Sequence, residues 1–261
     1  MDFFINEILE NDEVKKLLLS NPQTVLKGRE IAEQMLQTKQ FVPAKAGLLP
    51  VAVFAHLADF ALEVNTKRGI DKEITVATLK DVNVWLDNYK AQHGQAGLKE
   101  STWLMHHYTG DLFRLGRLQF RLEKCLDGVP SGEVAIETHI PQGEPLQVED
   151  CLASFDLARE FFKEKFPESK PQYFMCDSWL LNPNLEKVLD ENSNIVKFMR
   201  LWNKMPFPAD DSAQAIERVF GFGTKKEQLP DAPEKTLLQK RMKEYLLSGG
   251  EMNMCAGYIK I

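Results

Sequence analysis

The sequence of 261 residues contains little cysteine, and its four cysteines are widely scattered. No C-x-x-C pair occurs anywhere in the chain. Small disulfide frameworks and thiolate zinc sites both need closely spaced cysteines, so this spacing argues against either. We therefore expect reduced thiols at Cys125, Cys151, Cys176 and Cys255.

Long apolar runs and a basic amino terminus are also lacking. The most apolar stretch, residues 47–62, is interrupted by Pro50, His56 and Asp59. It falls short of the roughly 20 apolar residues that a membrane span needs. The first residues have neither the positive flank nor the long apolar centre of a signal peptide. We therefore expect a cytoplasmic protein with no membrane partner.

Charge of one sign is not in large excess. The formal net charge is -6, and neither half of the chain has the basic composition of a nucleic-acid-binding tail, so we expect no nucleic-acid partner. Internal repeats and low-complexity tracts are absent as well. A chain of this length with 44% hydrophobic residues can bury a sizeable core, as one large or two small domains.

The first part of the chain is patterned for helices. Apolar residues recur three and four positions apart from about residue 11 to residue 93, as at Leu79, Val82 and Leu86. Gly94 and Gly97 are suited to ending the last of these helices. The sequence predicts a helical N-terminal domain over residues 1–98 and a second domain over residues 99–261.

The apolar period changes to two after residue 101. Polar and apolar residues alternate from Phe113 to Leu122, with one slip at Gly116 that favours a β-bulge in a single strand. On this interpretation one polar face carries Arg114, Arg117, Gln119 and Arg121.

Strand and helix patterns then follow one another to residue 261. Pro167 and the Gly249-Gly250 pair mark the ends of two helices. The fold class is therefore α+β, with helices first and a sheet flanked by helices second. The predicted strands cover residues 132–140, 172–181, 195–202 and 252–261, and the predicted helices cover residues 148–166 and 234–247.

Five segments resemble a bacterial protein family. They are HYTGDLFRLGRLQF at residues 107–120, ETHIP at 137–141, SF with AREFF at 154–162, CDSWLLNP at 176–183 and SNIV at 193–196. The family consists of acyltransferase-domain proteins with a helical N-terminal N-acyltransferase domain and a GNAT-like C-terminal domain. The resemblance implies a mixed, mainly antiparallel sheet. It also implies an acyl-CoA or acetyl-CoA co-substrate and N-acyl transfer to an amine-bearing small molecule or peptide.

The loop that would hold coenzyme A departs from the superfamily pattern. That loop usually has Gln or Arg, two residues, Gly, one residue, then Gly or Ala, so that backbone N–H groups can surround the pyrophosphate. Here Glu144 would repel phosphate and Pro145 has no N–H. We assign cofactor binding to Ile140, Gln142 and Gly143. A catalytically silent binding or regulatory protein with the same fold is the alternative.

Amine acylation needs a base for the ammonium proton, donors for the thioester oxygen and an acid for the departing thiolate. Glu137 and His139 lie two residues apart on a predicted strand, so they share one face and could supply the base. The more common alternative is that His139 hydrogen-bonds a loop and that Glu137 pairs with an arginine on a neighbouring strand: Arg114, Arg117 or Arg121.

Further candidates follow from side-chain chemistry. Cys176 and Ser178 share one strand face and could protonate the thiolate or line the acyl site, although a buried cysteine is more often a core residue. The remaining substrate-binding candidates are two guanidinium groups that could bind a carboxylate or phosphate and two aromatic rings. They are Arg114, Arg117, Tyr108 and Trp179.

A metal site is a third interpretation. His106, His107, Asp111 and His139 carry groups that suit zinc or iron. Their spacing matches no metal motif, and adjacent histidines on a strand would point to opposite faces. We therefore predict no metal, and a metal-dependent hydrolase remains the alternative that these residues allow.

Overall fold

The chain forms two compact units in the computed structural model, which describes residues 1–38, 40, 45–99 and 101–261. Unit 1 comprises Met1–Leu115 and Pro141–Gly143. Unit 2 comprises Gly116–Ile140 and Glu144–Ile261.

Unit 1 is helical, which confirms the prediction for the first part of the chain. A π-helical turn at Phe4–Ile8 opens it, and Gly94 ends the fifth α-helix in the left-handed conformation, as its position predicted. The α-helices are α1 (Asp12–Ser20), α2 (Pro22–Thr38), α3 (Leu48–Lys67), α4 (Lys72–Leu79), α5 (Asp81–His93) and α6 (Ser101–Tyr108), and strand β1 (Leu112–Leu115) follows them.

Helix α3 forms the core of unit 1. An added Cβ at Gly28 of α2 would lie 2.6 Å from the Cβ of Ala52 in α3, so only glycine allows this approach. By length and composition α3 could also cross a membrane, but 56% of its most apolar stretch is buried inside the protein. Burial of this kind is typical of the central helix of a globular unit.

A mixed six-stranded sheet has the strand order β1-β2-β3-β4-β6-β5. Strands β3 and β4 are parallel, whereas the β2–β3, β4–β6 and β5–β6 pairs are antiparallel. Together with the helices this confirms the predicted α+β class. The further strands are β2 (Leu118–Lys124), β3 (Val134–His139), β4 (Tyr173–Ser178), β5 (Asn203–Met205) and β6 (Cys255–Lys260).

Helix α7 makes the crossover that the parallel strands β3 and β4 require. It packs aromatic side chains on the sheet, where the Phe155 ring centre lies 4.8 Å from that of Phe174 and 5.8 Å from that of Phe120. The α-helices of unit 2 are α7 (Val148–Lys165), α8 (Leu185–Val188), α9 (Asn194–Arg200), α10 (Ala213–Phe220) and α11 (Leu237–Leu247).

The predicted single bulged strand is instead two strands joined by a turn. Strand β1 ends at Leu115 and β2 begins at Leu118, and Gly116 between them has φ +71°. A glycine with positive φ permits a tight turn as readily as a bulge, so the slip in alternation had two explanations. The prediction that all four polar residues share the face of one strand is therefore wrong, because Arg114 lies on β1, Arg117 lies in the turn, and Gln119 and Arg121 alternate on β2.

Two further segments that were assigned to strands form helices instead. Residues 195–202, predicted as a strand, belong largely to α9, where the Ser193 hydroxyl accepts a hydrogen bond from the Val196 N–H at 3.3 Å. That serine cap favours a helix over a strand. His106 and His107 lie on helix α6 rather than on a strand.

Candidate active site

The register of β2, β3 and β4 brings polar side chains to one face of the sheet. Arg121 lies opposite Glu137 in the antiparallel pair, and Glu137 lies beside Met175 in the parallel pair. Side chains alternate along each strand, so the residues two positions after Glu137 and Met175 share this face. We call the set the polar cluster: Arg121, Glu137, His139 and Asp177.

Glu137 is a buried carboxylate held from two sides. The Arg121 guanidinium forms an ion pair with it, and His139 Nε2 lies 3.1 Å from its Oε2 atom. Burial alone would raise the pKa of Glu137, but the hydrogen bond and charge of His139 and the charge of Arg121 together lower it to about 2. Glu137 is therefore a fixed anion that orients its two partners. The predicted alternative, in which Glu137 pairs with an arginine on a neighbouring strand, describes this contact.

His139 is the residue of the cluster best suited to proton transfer. Its side chain is 20% exposed, so a ligand can reach it, whereas the Glu137 side chain is 11% exposed. An imidazole beside a carboxylate is held in one orientation and can carry a positive charge after accepting a proton.

Asp177 completes the cluster from β4, and no sequence signal singled it out. Its side chain is half-buried, and burial followed by the charge of Glu137 raises the pKa of its carboxyl above the ordinary value. Only the parallel register of β3 and β4 reveals its position beside His139. The alternation of β4 separates it from Cys176 and Ser178, which point to the other face.

Cys176 and Ser178 are not brought together with Glu137 and His139. Cys176 is 1% exposed, and burial raises the pKa of its thiol well above the usual range. The Ser178 hydroxyl accepts a hydrogen bond from the Leu180 N–H at 3.2 Å and so caps the short 3-10 turn at Trp179–Leu181. The two candidate pairs lie on opposite faces of the sheet.

Arg117 fastens the loop that precedes α7. Its Nη2 donates to the Glu144 carbonyl at 2.7 Å and its Nε donates to the Pro145 carbonyl at 3.1 Å. Its backbone N–H donates to Ser154 Oγ in α7 at 2.8 Å. Carbonyl groups of the chain thus engage the guanidinium that was predicted to bind substrate. The other predicted guanidinium, Arg114, belongs to β1 in unit 1.

The predicted cofactor-binding residues follow β3 directly. Ile140 is half-buried, and Gln142 and Gly143 are exposed. Gly143 has φ +125°, and an added Cβ there would meet no atom within 4 Å, so its backbone is open to a ligand. The Gln142 Oε1 atom accepts a hydrogen bond from Asn88 at 3.2 Å.

The two predicted aromatic residues lie in cores. Tyr108 is fully buried in unit 1, where its hydroxyl donates to the Leu79 carbonyl at 3.3 Å. Trp179 packs among buried side chains of unit 2 such as Leu185 and Val196. Among the described residues no group of three or more His, Cys, Asp or Glu side chains is placed to hold a metal ion.

Family models match both parts of the chain. Residues 4–110 match the N-acyltransferase N-terminal domain, and residues 112–259 match the GNAT-like C-terminal domain. Comparison with curated protein sequences finds no match.

Several solved structures are similar to the chain. An acyltransferase in complex with decanoyl-CoA and teicoplanin is 30% identical with a TM-score of 0.73, and the match covers 80% of this chain and 65% of that chain. A mutant acyltransferase in complex with octanoyl-CoA is 30% identical with a TM-score of 0.74, covering 82% and 66%. An acyltransferase in complex with decanoyl-CoA is 25% identical with a TM-score of 0.79, covering 98% and 85%. The chain thus spans slightly less than two thirds of the first two relatives.

Proposed function

Since the chain belongs to the family that joins an N-acyltransferase N-terminal domain to a GNAT-like C-terminal domain, we propose that it transfers an acyl group from an acyl-CoA to an amine. The observation that carries the proposal is the polar cluster, in which Glu137 contacts His139 at the end of β3 and is itself paired with Arg121. The relatives that bind octanoyl-CoA and decanoyl-CoA support an acyl donor of medium chain length. The relative that binds teicoplanin supports a small-molecule or peptide acceptor.

The chemistry assigned to the cluster is a single acyl transfer. The ammonium of the acceptor loses a proton to the His139 imidazole, and the free amine attacks the thioester carbonyl carbon. A C–N bond forms and the C–S bond breaks. The nitrogen then gives up its second proton, and this proton converts the departing thiolate to the thiol of coenzyme A. Of the two predicted bases we favour His139, because a carboxyl with a pKa of about 2 is a weak base at neutral pH.

The loop after β3 is the proposed site for coenzyme A. Ile140, Gln142 and Gly143 would contact it, and Arg117 binds the carbonyls of Glu144 and Pro145, the next two residues of the chain. The roles proposed for Cys176 and Ser178, as acid or as lining of the acyl site, stay predictions. The cytoplasmic location and bacterial source also stay predictions.

A catalytically silent binding protein is the second candidate. The observation that favours it is the loop itself, in which Pro145 provides no N–H and the exposed Glu144 side chain carries a negative charge. The two functions differ in whether a covalent product forms.

The deciding experiment is an assay of the purified protein with decanoyl-CoA and a panel of primary amines. Release of free thiol and the mass of the acylated amine report the reaction. We expect His139→Ala to lower kcat at least 100-fold while the Kd for decanoyl-CoA changes less than twofold. The exposed histidine variant His93→Ala is the matched control. Product formation that survives His139→Ala would contradict the assignment, and binding without product would support the silent protein.

A further inference from the structure

We propose that Asp177 binds the ammonium group of the acceptor and holds it beside His139, an inference that rests on the function proposed above. The parallel register of β3 and β4 aligns Glu137 with Met175, so the next residue on this face of β4 lies beside His139. Asp177 occupies that position and is half-buried.

The two carboxylates of the polar cluster differ in their partners. Glu137 is engaged by Arg121 and by His139. Within the part of the chain that the structure describes, Asp177 has no ion-pair partner, and its own backbone N–H is its hydrogen-bond donor. A half-buried carboxylate is costly without a cation, and a bound ammonium group would supply one.

The charges around Asp177 favour a cation as the ligand. Glu137 and His139 face it from β3, Arg121 faces it from β2, and its partner on β6 is the uncharged Ala256. The Arg121 guanidinium is already paired with Glu137 and Glu123. Burial and the charge of Glu137 raise the pKa of Asp177, and this increase exceeds the lowering by His139, by its own backbone N–H and by Arg121.

This assignment divides the reaction between neighbouring side chains. Asp177 would hold the acceptor nitrogen as the ammonium ion, His139 would remove one proton from it, and Asp177 would stay ionised throughout. The substrate class that follows is acceptors with a protonated primary or secondary amine. Neutral alcohols would be poor acceptors, since nothing in them matches the charge of Asp177.

The test uses Asp177→Asn, which keeps the side-chain shape and removes the charge. With the best amine of the panel we expect the KM for the amine to rise at least tenfold, kcat to change less, and the Kd for decanoyl-CoA to stay within twofold. Asp177→Glu should restore part of the amine KM. Asp156→Asn, at an exposed carboxylate on α7, is the control and should leave all three constants unchanged.

A second measurement needs no catalytic turnover. Methylammonium chloride is titrated into protein labelled with ¹³C at aspartate carboxyl groups, and the resonance that disappears in Asp177→Asn is followed. We expect a saturable shift of that resonance and none for Asp156. An unshifted Asp177 resonance, or an unchanged amine KM in Asp177→Asn, would overturn the inference. A saturable shift in a protein that forms no acylated product would uphold amine binding while the proposed transferase function fails.

Discussion

Glu137 and Asp177 show how position within one sheet face sets the chemistry of a carboxylate. Glu137 lies between the Arg121 guanidinium and His139 and has a pKa of about 2, whereas the pKa of Asp177 is raised by burial and by the charge of Glu137. Pairs of titratable groups whose surroundings drive their pKa values apart usually have different roles. Glu137 is accordingly the fixed anion and Asp177 the ligand-binding one.

The contacts of Glu137 with Arg121 and His139 make stability depend on pH. The folded pKa of about 2 lies below the ordinary value of 4.5, so the contribution is complete above pH 4.5 and is lost as the pH falls through 2. At about 1.4 kcal/mol for each pKa unit it amounts to about 3 kcal/mol. We expect Glu137→Gln to lower the free energy of unfolding by roughly that amount at pH 7. Urea titrations followed by tryptophan fluorescence should show the deficit shrinking from pH 4.5 to pH 2.

The control for this prediction is Glu123→Gln. Glu123 pairs with the same Arg121 at 2.7 Å but its side chain is 40% exposed, so its loss should cost less than about 1 kcal/mol. A Glu137→Gln deficit that is equally large at pH 2 and at pH 7 would contradict the assigned pKa.

A variant of Cys176 tests whether the face of the sheet opposite the polar cluster takes part in acyl transfer. Its thiol is buried, and its high pKa disfavours the thiolate. We expect Cys176→Ala to keep acyl transfer within about threefold of wild type and to lower the free energy of unfolding by about 1 kcal/mol, since a small buried group is removed. Loss of transfer by more than 100-fold in a variant of near-normal stability would instead support the predicted catalytic role of this cysteine.

At the scale of elements, the turn between β1 and β2 is fitted closely to helix α7. Gly116 has φ +71°, and a Cβ at this position would lie 2.8 Å from Ser154 Oγ. Ser154 Oγ also accepts the Arg117 N–H and donates to the Asp150 carbonyl. The turn, the loop before α7 and the first turns of α7 are therefore one hydrogen-bonded arrangement.

Replacement of Gly116 should show the effect of this close approach. We expect Gly116→Ala to lower the free energy of unfolding by about 2 to 4 kcal/mol, because left-handed strain and a steric clash add together. Gly249→Ala is the control: Gly249 also has positive φ, but no atom lies within 4 Å of its Cβ position. Gly249→Ala should lower the free energy of unfolding by only about 1 to 2 kcal/mol, because backbone strain acts there without a clash. Equal losses in the two variants would show that the contact with Ser154 is unimportant.

Arg117 should matter for the loop more than for the fold. Removing its guanidinium leaves the carbonyls of Glu144 and Pro145 without their charged donor, which should cost about 2 kcal/mol. We expect Arg117→Ala to weaken decanoyl-CoA binding at least fivefold by calorimetry, and Arg117→Lys to restore binding in part, since a lysine cannot reproduce the fork of donors. Lys163→Ala, on the exposed side of α7, should have no effect. If Arg117→Ala bound decanoyl-CoA as tightly as the wild type, the proposal that Arg117 supports the coenzyme A loop would be contradicted.

The elements differ in how well their sequence predicted them. Helix α7 and strands β3, β4 and β6 followed from pattern and end signals. Residues 195–202 were wrongly predicted as a strand because their apolar positions fit alternation in part. The buried Val196 and Met199 are three residues apart, as in a helix. The shared face of Glu137 and His139 followed from the period of β3. The position of Asp177 did not, because the pairing of two parallel strands is set by the crossover helix and not by either strand alone.

At the scale of the molecule, two units fold around separate cores. Unit 1 buries α3 among its helices, and unit 2 buries the aromatic side chains between α7 and its sheet. The predicted boundary at residue 98 stays a prediction. Fold and family alone do not establish an activity, so the functional account depends on the polar cluster and on the loop after β3.

Calorimetric titration of the purified protein with decanoyl-CoA tests the central claim most directly, because an acyl-CoA transferase must bind its donor. We expect saturable binding at one site per chain, a rise in melting temperature with ligand concentration, and weaker binding by Arg117→Ala. No heat of binding and no thermal shift at millimolar decanoyl-CoA would contradict it.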